Sequence, residues 1–390
     1  MSHRTIEIGV VGWGNFFEHI HEQTVRELVA EGRCRLRAVC VRSEASRAAI
    51  AARMSPQYAE GDYRRLLEDP RIDAILIGAP HSIQAELAIQ ALEAGKWVYV
   101  EKPMFADEAD TGAAPRSYLE RLAAMGPTAL ERLAVGLNKR FAPAYRDLRE
   151  RAGTWGGLRF VQMNIIDDAW RWGGKYPPGF LIWLDACHWI DLARWFMGAE
   201  VEQVSCLLPQ VEDSLLTLRM SHGGVASIFL SGNGTMDMFK EELIATSAAR
   251  TCARSVDYFE LEVFGQDHPQ VRRYRANLQS GGDLALLERI DAGGLEAFAA
   301  VRREMFNRFR GVQARPDAGV ESYLKHNLPN FMRPQGWRES LRSFVESVAA
   351  GRPLENSATY RDAYLAYELV EAAKRSAAAG GGFVSGPRLD

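Results

Sequence analysis

The tripeptide Glu101-Lys102-Pro103 puts a lysine just past the apolar run "WVYV" at 97–100, which reads as a buried strand. A solvated turn is the ordinary setting for such a lysine. At the mouth of a parallel sheet, however, a cation can steady a developing alkoxide. It can also move a proton once burial or neighbouring charge lowers its pKa. A second constellation lies in "LDACHWIDLARWFMG", residues 184–198. At helical spacing Asp185, His188 and either Asp191 or Leu192 share one side. A carboxylate beside a histidine fixes its tautomer and supports its charged form, as a proton relay requires. The plainer alternative is an amphipathic core helix whose histidine is satisfied by a backbone carbonyl. The third element is "GWGNFF", Gly12 to Phe17, after a strand-like run. A G-x-G there turns the chain tightly and lets a pyrophosphate approach backbone N–H groups, so Gly12, Gly14, Asn15 and Phe16 are candidate cofactor contacts. Phe17 stands where the usual fingerprint has its third glycine, which puts close packing of helix on strand in question.

The elements that must position these residues alternate. "TIEIGVV" (5–11), "RLRAVCV" (35–41), "AILIG" (74–78), "WVYV" (97–100) and "LAVGLN" (133–138) read as buried strands. Helical patterns fall between them at 16–31, 44–53, 62–68 and 82–95. Strand–helix alternation predicts right-handed crossovers and a doubly wound parallel sheet of the Rossmann type. Ligands of such sheets bind outside the carboxyl ends of the strands. That places Ala79, Pro80 and His81, after the third of these strands, and Glu101, Lys102 and Pro103, after the fourth, on the candidate cofactor side. The second strand ends with Val41 where an acid would hold an NAD ribose, followed by Arg42 and Ser43. A planar guanidinium and a hydroxyl suit a 2′-phosphate, so NADP is favoured over NAD. Alternatively Arg42 is solvated and Ser43 caps the next helix.

From residue 139 the pattern changes. A helix is predicted over 181–197, then strands at 200–208, 214–220, 225–232 and 258–265, a helical pattern near 289–310, and closing helices at 337–351 and 358–380. This predicts an α+β domain with an open, largely antiparallel sheet over 139–390, after a dinucleotide-binding domain over 1–138. The open sheet face calls for cover, and self-association through it as a homodimer or homotetramer is the expectation.

Composition narrows the partners. The 390 residues carry a net charge of −3 with no basic run, which argues against nucleic acid. Apolar runs such as "AILIGA" are too short to span a bilayer. The five scattered cysteines fit reduced thiols in a cytoplasm, and no ligand spacing points to a metal. The amino-terminal segment enters a strand at once, leaving no room for a signal peptide.

Together "GVVGWGN", the run from "IDAILIGAPHS" to "VYVEKPM", "VGLNKRFAPAY", "CHWIDLARWFMG" and "AYLAYELVEAAKRS" resemble the glucose–fructose oxidoreductase and inositol dehydrogenase family, Gfo/Idh/MocA. The resemblance implies a two-domain oxidoreductase that acts on sugars, cyclitols or their derivatives with a nicotinamide cofactor. It implies that Lys102 is catalytic, that His188 is the acid/base at the reacting hydroxyl, and that Glu101 and Pro103 shape the cofactor loop through a cis Lys102–Pro103 peptide. Arg140 matches a position lining the cleft. Two positions depart from the family pattern. Leu184 replaces an aspartate, with Asp185 one place later, and Gln84 replaces a histidine, with His81 earlier. Trp170, Arg171 and Tyr176, in an aromatic stretch with two cations, are substrate-binding candidates beside Lys102, Asp185 and His188. A carboxylated or phosphorylated substrate also fits those cations. The rival readings are a glycosidase that uses transient oxidation by bound NAD, and a redox-inactive sensor that keeps the cofactor fold.

Overall fold

The computed structural model describes residues 4–167, 184–210, 212–235, 238–265, 269–277, 284–309 and 332–388. The chain divides into two compact units, Met1–Asn138 with Gly336–Tyr364, and Lys139–Gln335 with Leu365–Asp390.

The first unit is built on a six-stranded sheet in the order β3-β2-β1-β4-β5-β6. Its strands are β1 (Ile6–Val11), β2 (Cys34–Cys40), β3 (Tyr58–Glu60), β4 (Ala74–Ile77), β5 (Trp97–Val100) and β6 (Leu133–Val135). All five pairings are parallel. The order reverses direction at β1 and β4, the switch point at which doubly wound sheets bind their ligands. The strands read as continuous apolar runs because both faces are covered: all four side chains of β4 are buried, as are five of six in β1.

The sequence reading ended this unit at residue 138, whereas the structure returns 336–364 to it. The helix Trp337–Ala350 supplies the reason. Its buried face, Leu341, Phe344, Val345 and Val348, joins one core with Ile8, Val10, Leu76 and Tyr99. Phe344 and Tyr99 meet edge-on at 5.6 Å, and the Tyr99 hydroxyl shares a 3.2 Å hydrogen bond with Ser340. A helical stripe seen in isolation does not say which sheet it covers.

The second unit carries a nine-stranded sheet in the order β14-β13-β12-β11-β7-β10-β9-β8-β15. Its strands are β7 (Leu158–Ile166), β8 (Val201–Gln210), β9 (Asp213–Met220), β10 (Val225–Ser231), β11 (Glu241–Ser247), β12 (Cys252–Val256), β13 (Glu260–Phe264), β14 (Gln270–Arg273) and β15 (Val384–Ser385). Only β7 and β10 pair in parallel. The sheet is therefore mixed and mostly antiparallel, as its alternating pattern predicts. In β9 every second residue is buried, Ser214, Leu216, Leu218 and Met220, while Leu215 and Arg219 face outward. The helix Ala186–Met197 lies across β7 and β10 on the buried face.

Candidate active site

In the first unit the candidate residues all follow strand ends. Gly12 has φ +84, and a Cβ there would lie 2.7 Å from the backbone N of Ala79, so only glycine fits. The glycine turn thus rests directly on the Gly78–Ala79 backbone. Gly14 is the reverse case: a Cβ there would meet nothing within 4 Å. One glycine is demanded by the fold, and the other leaves its backbone open to an approaching group. This is the asymmetry a phosphate-binding turn needs, and these residues fit a dinucleotide.

Phe17 does not loosen the packing. Its side chain is 2% exposed and packs against Trp13 at 4.8 Å between ring centroids. The room comes from Gly78, where a Cβ would sit 2.8 Å from the Phe17 ring. The glycine has in effect moved from the helix to the facing loop. The predicted helix over 16–31 is two helices, Asn15–Ile20 and Glu22–Ala30, joined at His21. Phe16 is 41% exposed, with its ring 6.4 Å from that of Trp337.

After β2, Ser43 accepts a 3.3 Å hydrogen bond from the N–H of Ser46 and caps the helix Glu44–Met54. Arg42 is exposed, and Val41 packs on the core. Arg47, which sequence reasoning passed over, donates to the carbonyls of Val41 and Arg42 at 2.9 and 2.8 Å and so fixes the turn. After β4, Pro80 precedes the helix His81–Glu93, and the His81 imidazole stands 3.7 Å from the Asp110 carboxylate. Gln84 is buried on that helix.

After β5 comes Glu101-Lys102-Pro103, with the Lys102–Pro103 peptide cis. Lys102 is half-buried. Glu101 is buried, and its carboxylate pairs with the His21 imidazole at 2.5 Å, a contact no local pattern reveals.

The second unit positions the other candidates. The short 3₁₀ turn Asn138–Phe141 leads into it. From this turn Arg140 donates through Nε and Nη2 to the two oxygens of Asp191, at 2.8 and 2.5 Å. This bidentate pair, 8% and 1% exposed, grips the helix that carries His188 one turn earlier. Lys139 inserts beside it. Its ammonium donates to Glu241 at 2.8 Å and to the Tyr258 hydroxyl, and lies 4.8 Å from the Trp189 ring centroid. Burial lowers the Lys139 pKa against the opposing pull of Glu241, and Asp185 adds a further attraction. Tyr145 completes this buried knot by donating to Glu241 at 2.8 Å.

His188 is 6% exposed, three residues past Asp185 and three before Asp191. Asp185 lies in a π-wound turn with Leu184 that opens the helix, a local widening often found where function is placed. Trp170, Arg171 and Tyr176 fall outside the described residues.

Residues 6–116 match the model of an oxidoreductase family with an NAD-binding Rossmann fold. That model is the one named for the Gfo/Idh/MocA oxidoreductases. Among curated Gfo/Idh/MocA-type relatives, the scyllo-inositol 2-dehydrogenase (NAD(+)) of Bacillus subtilis is 33% identical over 157 residues, 38% of this chain and 42% of that protein. An uncharacterized oxidoreductase of the same organism, YrbE, is 29% identical over 193 residues, 44% of this chain and 52% of that protein. The chain thus spans about half the length of the curated relatives it matches. Solved structures extend the likeness to almost the entire chain at low identity. An oxidoreductase domain protein from Kribbella flavida covers 98% of this chain and is itself covered completely, at 19% identity and a TM-score of 0.69. Levoglucosan dehydrogenase, in complex with NADH and levoglucosan, covers 99% of this chain and is likewise covered completely, at 17% identity and 0.67. At such identities the likeness carries the fold and nothing further. No helix of the described residues is long and apolar enough to cross a membrane.

Proposed function

We propose that the chain is an NAD(P)-dependent oxidoreductase that moves a hydride between a nicotinamide and a hydroxyl or keto carbon of a sugar, cyclitol or sugar derivative. The observation that carries this reading is the glycine turn at the sheet's switch point, closed at Gly12 and open at Gly14, with Glu101-Lys102-Pro103 at the end of β5. The scyllo-inositol dehydrogenase among its curated relatives supports the substrate class.

A bound nicotinamide supplies the hydride acceptor or donor. The chain's own residues handle the rest. Lys102 and His188 take or return the alcohol proton, and the carboxylate of Asp185 steadies the charged form of His188. Arg140 holds the His188 helix through Asp191 and so positions the histidine. Trp170, Arg171 and Tyr176 would contact the ring of the substrate. Around the nucleotide, Gly12, Gly14, Asn15 and Phe16 serve the pyrophosphate, and Ala79, Pro80, His81, Glu101 and Pro103 line the nicotinamide side.

Cofactor choice turns on β2. Arg42 and Ser43 favour NADP, and the absence of an acid at Val41 agrees. NAD is the alternative, supported by the curated relative whose name carries NAD(+). The test has two stages: identify any nucleotide released on denaturation, then titrate NADH and NADPH by fluorescence. Arg42→Ala should weaken NADPH about tenfold with NADH unchanged, the size of one charge-assisted hydrogen bond. Equal weakening of both would assign Arg42 to the turn rather than to the phosphate. A purified protein that binds neither nucleotide would sink the oxidoreductase reading. We further propose that the chain assembles as a homodimer or homotetramer through the exposed face of the second sheet, where Leu207, Leu215 and Phe264 are 49%, 38% and 39% exposed. Light scattering that shows only monomer would exclude this.

A further inference from the structure

The contact between His21 and Glu101 joins positions 80 residues apart in the chain. It connects the glycine-turn helices to the tripeptide that bears Lys102. Both side chains are almost fully removed from water, 1% and 5% exposed, and Nε2 lies 2.5 Å from Oε1. A buried polar pair of this kind is a poor way to gain stability, because apolar residues of similar volume would serve as well or better. Its value must lie in what it holds in place.

Three observations say what that is. The second carboxylate oxygen of Glu101 accepts the backbone N–H of Lys102 at 3.2 Å, so fixing the carboxylate fixes the start of the cis turn. Gly136, directly after β6, leaves room for that oxygen: a Cβ there would lie 2.9 Å from Oε2. His21 is itself clamped at the seam between the two helices. Its N–H donates to the Phe17 carbonyl at 2.8 Å, its carbonyl accepts from Val25 at 2.9 Å, and its ring packs on Phe17 at 5.2 Å and edge-on to Tyr99 at 5.8 Å. The other ring nitrogen, Nδ1, is buried and meets no partner among the described residues. A proton there would be an orphaned donor, so the ring proton belongs on Nε2, where it is donated to Glu101.

We infer that His21 is a positioning residue that locks the Glu101 carboxylate, and through it the Lys102-bearing turn, against the glycine-turn helices. This deepens the proposed function and rests on it: the turn so held is the one assigned to the nicotinamide end of the cofactor. His21 touches neither substrate nor cofactor in this account. It acts through Glu101.

The test separates the two ends of the nucleotide. Intact full-length protein is titrated by fluorescence or calorimetry with NADH and with ADP-ribose, which lacks the nicotinamide; for a parent that prefers NADPH, NADPH and 2′-phospho-ADP-ribose take their places throughout. His21→Leu removes the donor, and His21→Gln keeps one. The expected result for His21→Leu is NADH affinity about tenfold weaker and ADP-ribose affinity changed by less than about twofold, as for one lost charge-assisted hydrogen bond at the nicotinamide end. His21→Gln should recover NADH affinity to within about threefold of the parent. A general packing role would weaken both nucleotides alike, and that outcome overturns the inference while leaving the cofactor assignment standing. Unchanged NADH binding in His21→Leu overturns it equally. If His21→Leu does not fold, His21→Asn, which keeps polarity but loses reach, takes its place with the same two outcomes. A parent protein that binds neither NADPH nor NADH removes the cofactor reading and this inference with it.

Discussion

Lys102 and Lys139 both follow strands of the first sheet, yet they are buried to different depths. Lys102 is half-buried on the turn after β5, and the Glu101 carboxylate accepts its backbone N–H. Lys139 is 4% exposed, and its ammonium is shared among Glu241, Tyr258 and the faces of two aromatic rings. A buried lysine with a complete set of partners is committed to holding structure, because moving it would strand Glu241 as an unpaired charge. A half-buried lysine at the mouth of a parallel sheet stands where such sheets bind their ligands, which is why the chemical role is proposed for Lys102. Two cations of identical type thus differ in depth of burial and in their place relative to the sheet.

Removing each in turn should expose the difference. Lys102→Met is expected to lower turnover by about 10²–10⁴-fold, the range for losing a general acid or base, with the melting temperature unchanged within about 2 °C. A variant with near-normal turnover would make Lys102 a turn residue after all. Lys139→Met should do the reverse and cost about 3–5 kcal/mol of stability, read from the urea midpoint. Adding Glu241→Gln to it should restore part of that loss, since the second change removes the stranded charge. Simple additivity of the two losses would show that the pair does not act as a unit.

Glycines sharpen the same contrast at smaller scale. Gly12→Ala meets backbone at 2.7 Å and a φ of +84, and should destabilise the protein by about 1–3 kcal/mol. Gly14→Ala has open space around it and should leave stability unchanged while weakening nucleotide binding. The smallest expected effect is on pH dependence. Burial alone would raise the Glu241 pKa, but the Lys139 charge and the hydrogen bonds from Lys139, Tyr258 and Tyr145 hold it below the ordinary 4.5. The stability it contributes is therefore complete above 4.5 and is lost as pH falls through the lower folded value. Glu241→Gln should flatten that acid limb, and an unchanged limb would place the titration elsewhere.

What was readable in advance divides along the same lines. Strands buried on both faces announce themselves as apolar runs, so β1, β2, β4, β5 and β6 were all visible. β3 was not, since "YAE" is too short to form a pattern. In the second sheet β7 and β11 escaped notice because "LRFVQMNII" and "EELIATS" carry polar residues on their outer face and never form an unbroken run. β12 and β14 hid for the same reason, with Arg254, Arg272 and Arg273 among their few residues. The glycine turn, Lys102 and His188 could be singled out because what marks each is local: a spacing, a strand end, a helix pattern. His21 and Lys139 were not, because each is defined by a partner 80 or 102 residues away. No periodicity encodes such a distance.

The return of Gly336–Tyr364 to the first unit has a consequence for how the chain is made. The ribosome releases β1 to β6 early, but the helix that seals Val10, Leu76 and Tyr99 emerges only after the whole middle of the chain. At about 5–20 residues per second, the roughly 200 residues between Asn138 and Gly336 mean a delay of about 10–40 s. During that interval the nascent sheet presents an apolar face with its own cover still unsynthesised. A fragment cut at residue 138 would lack that cover permanently.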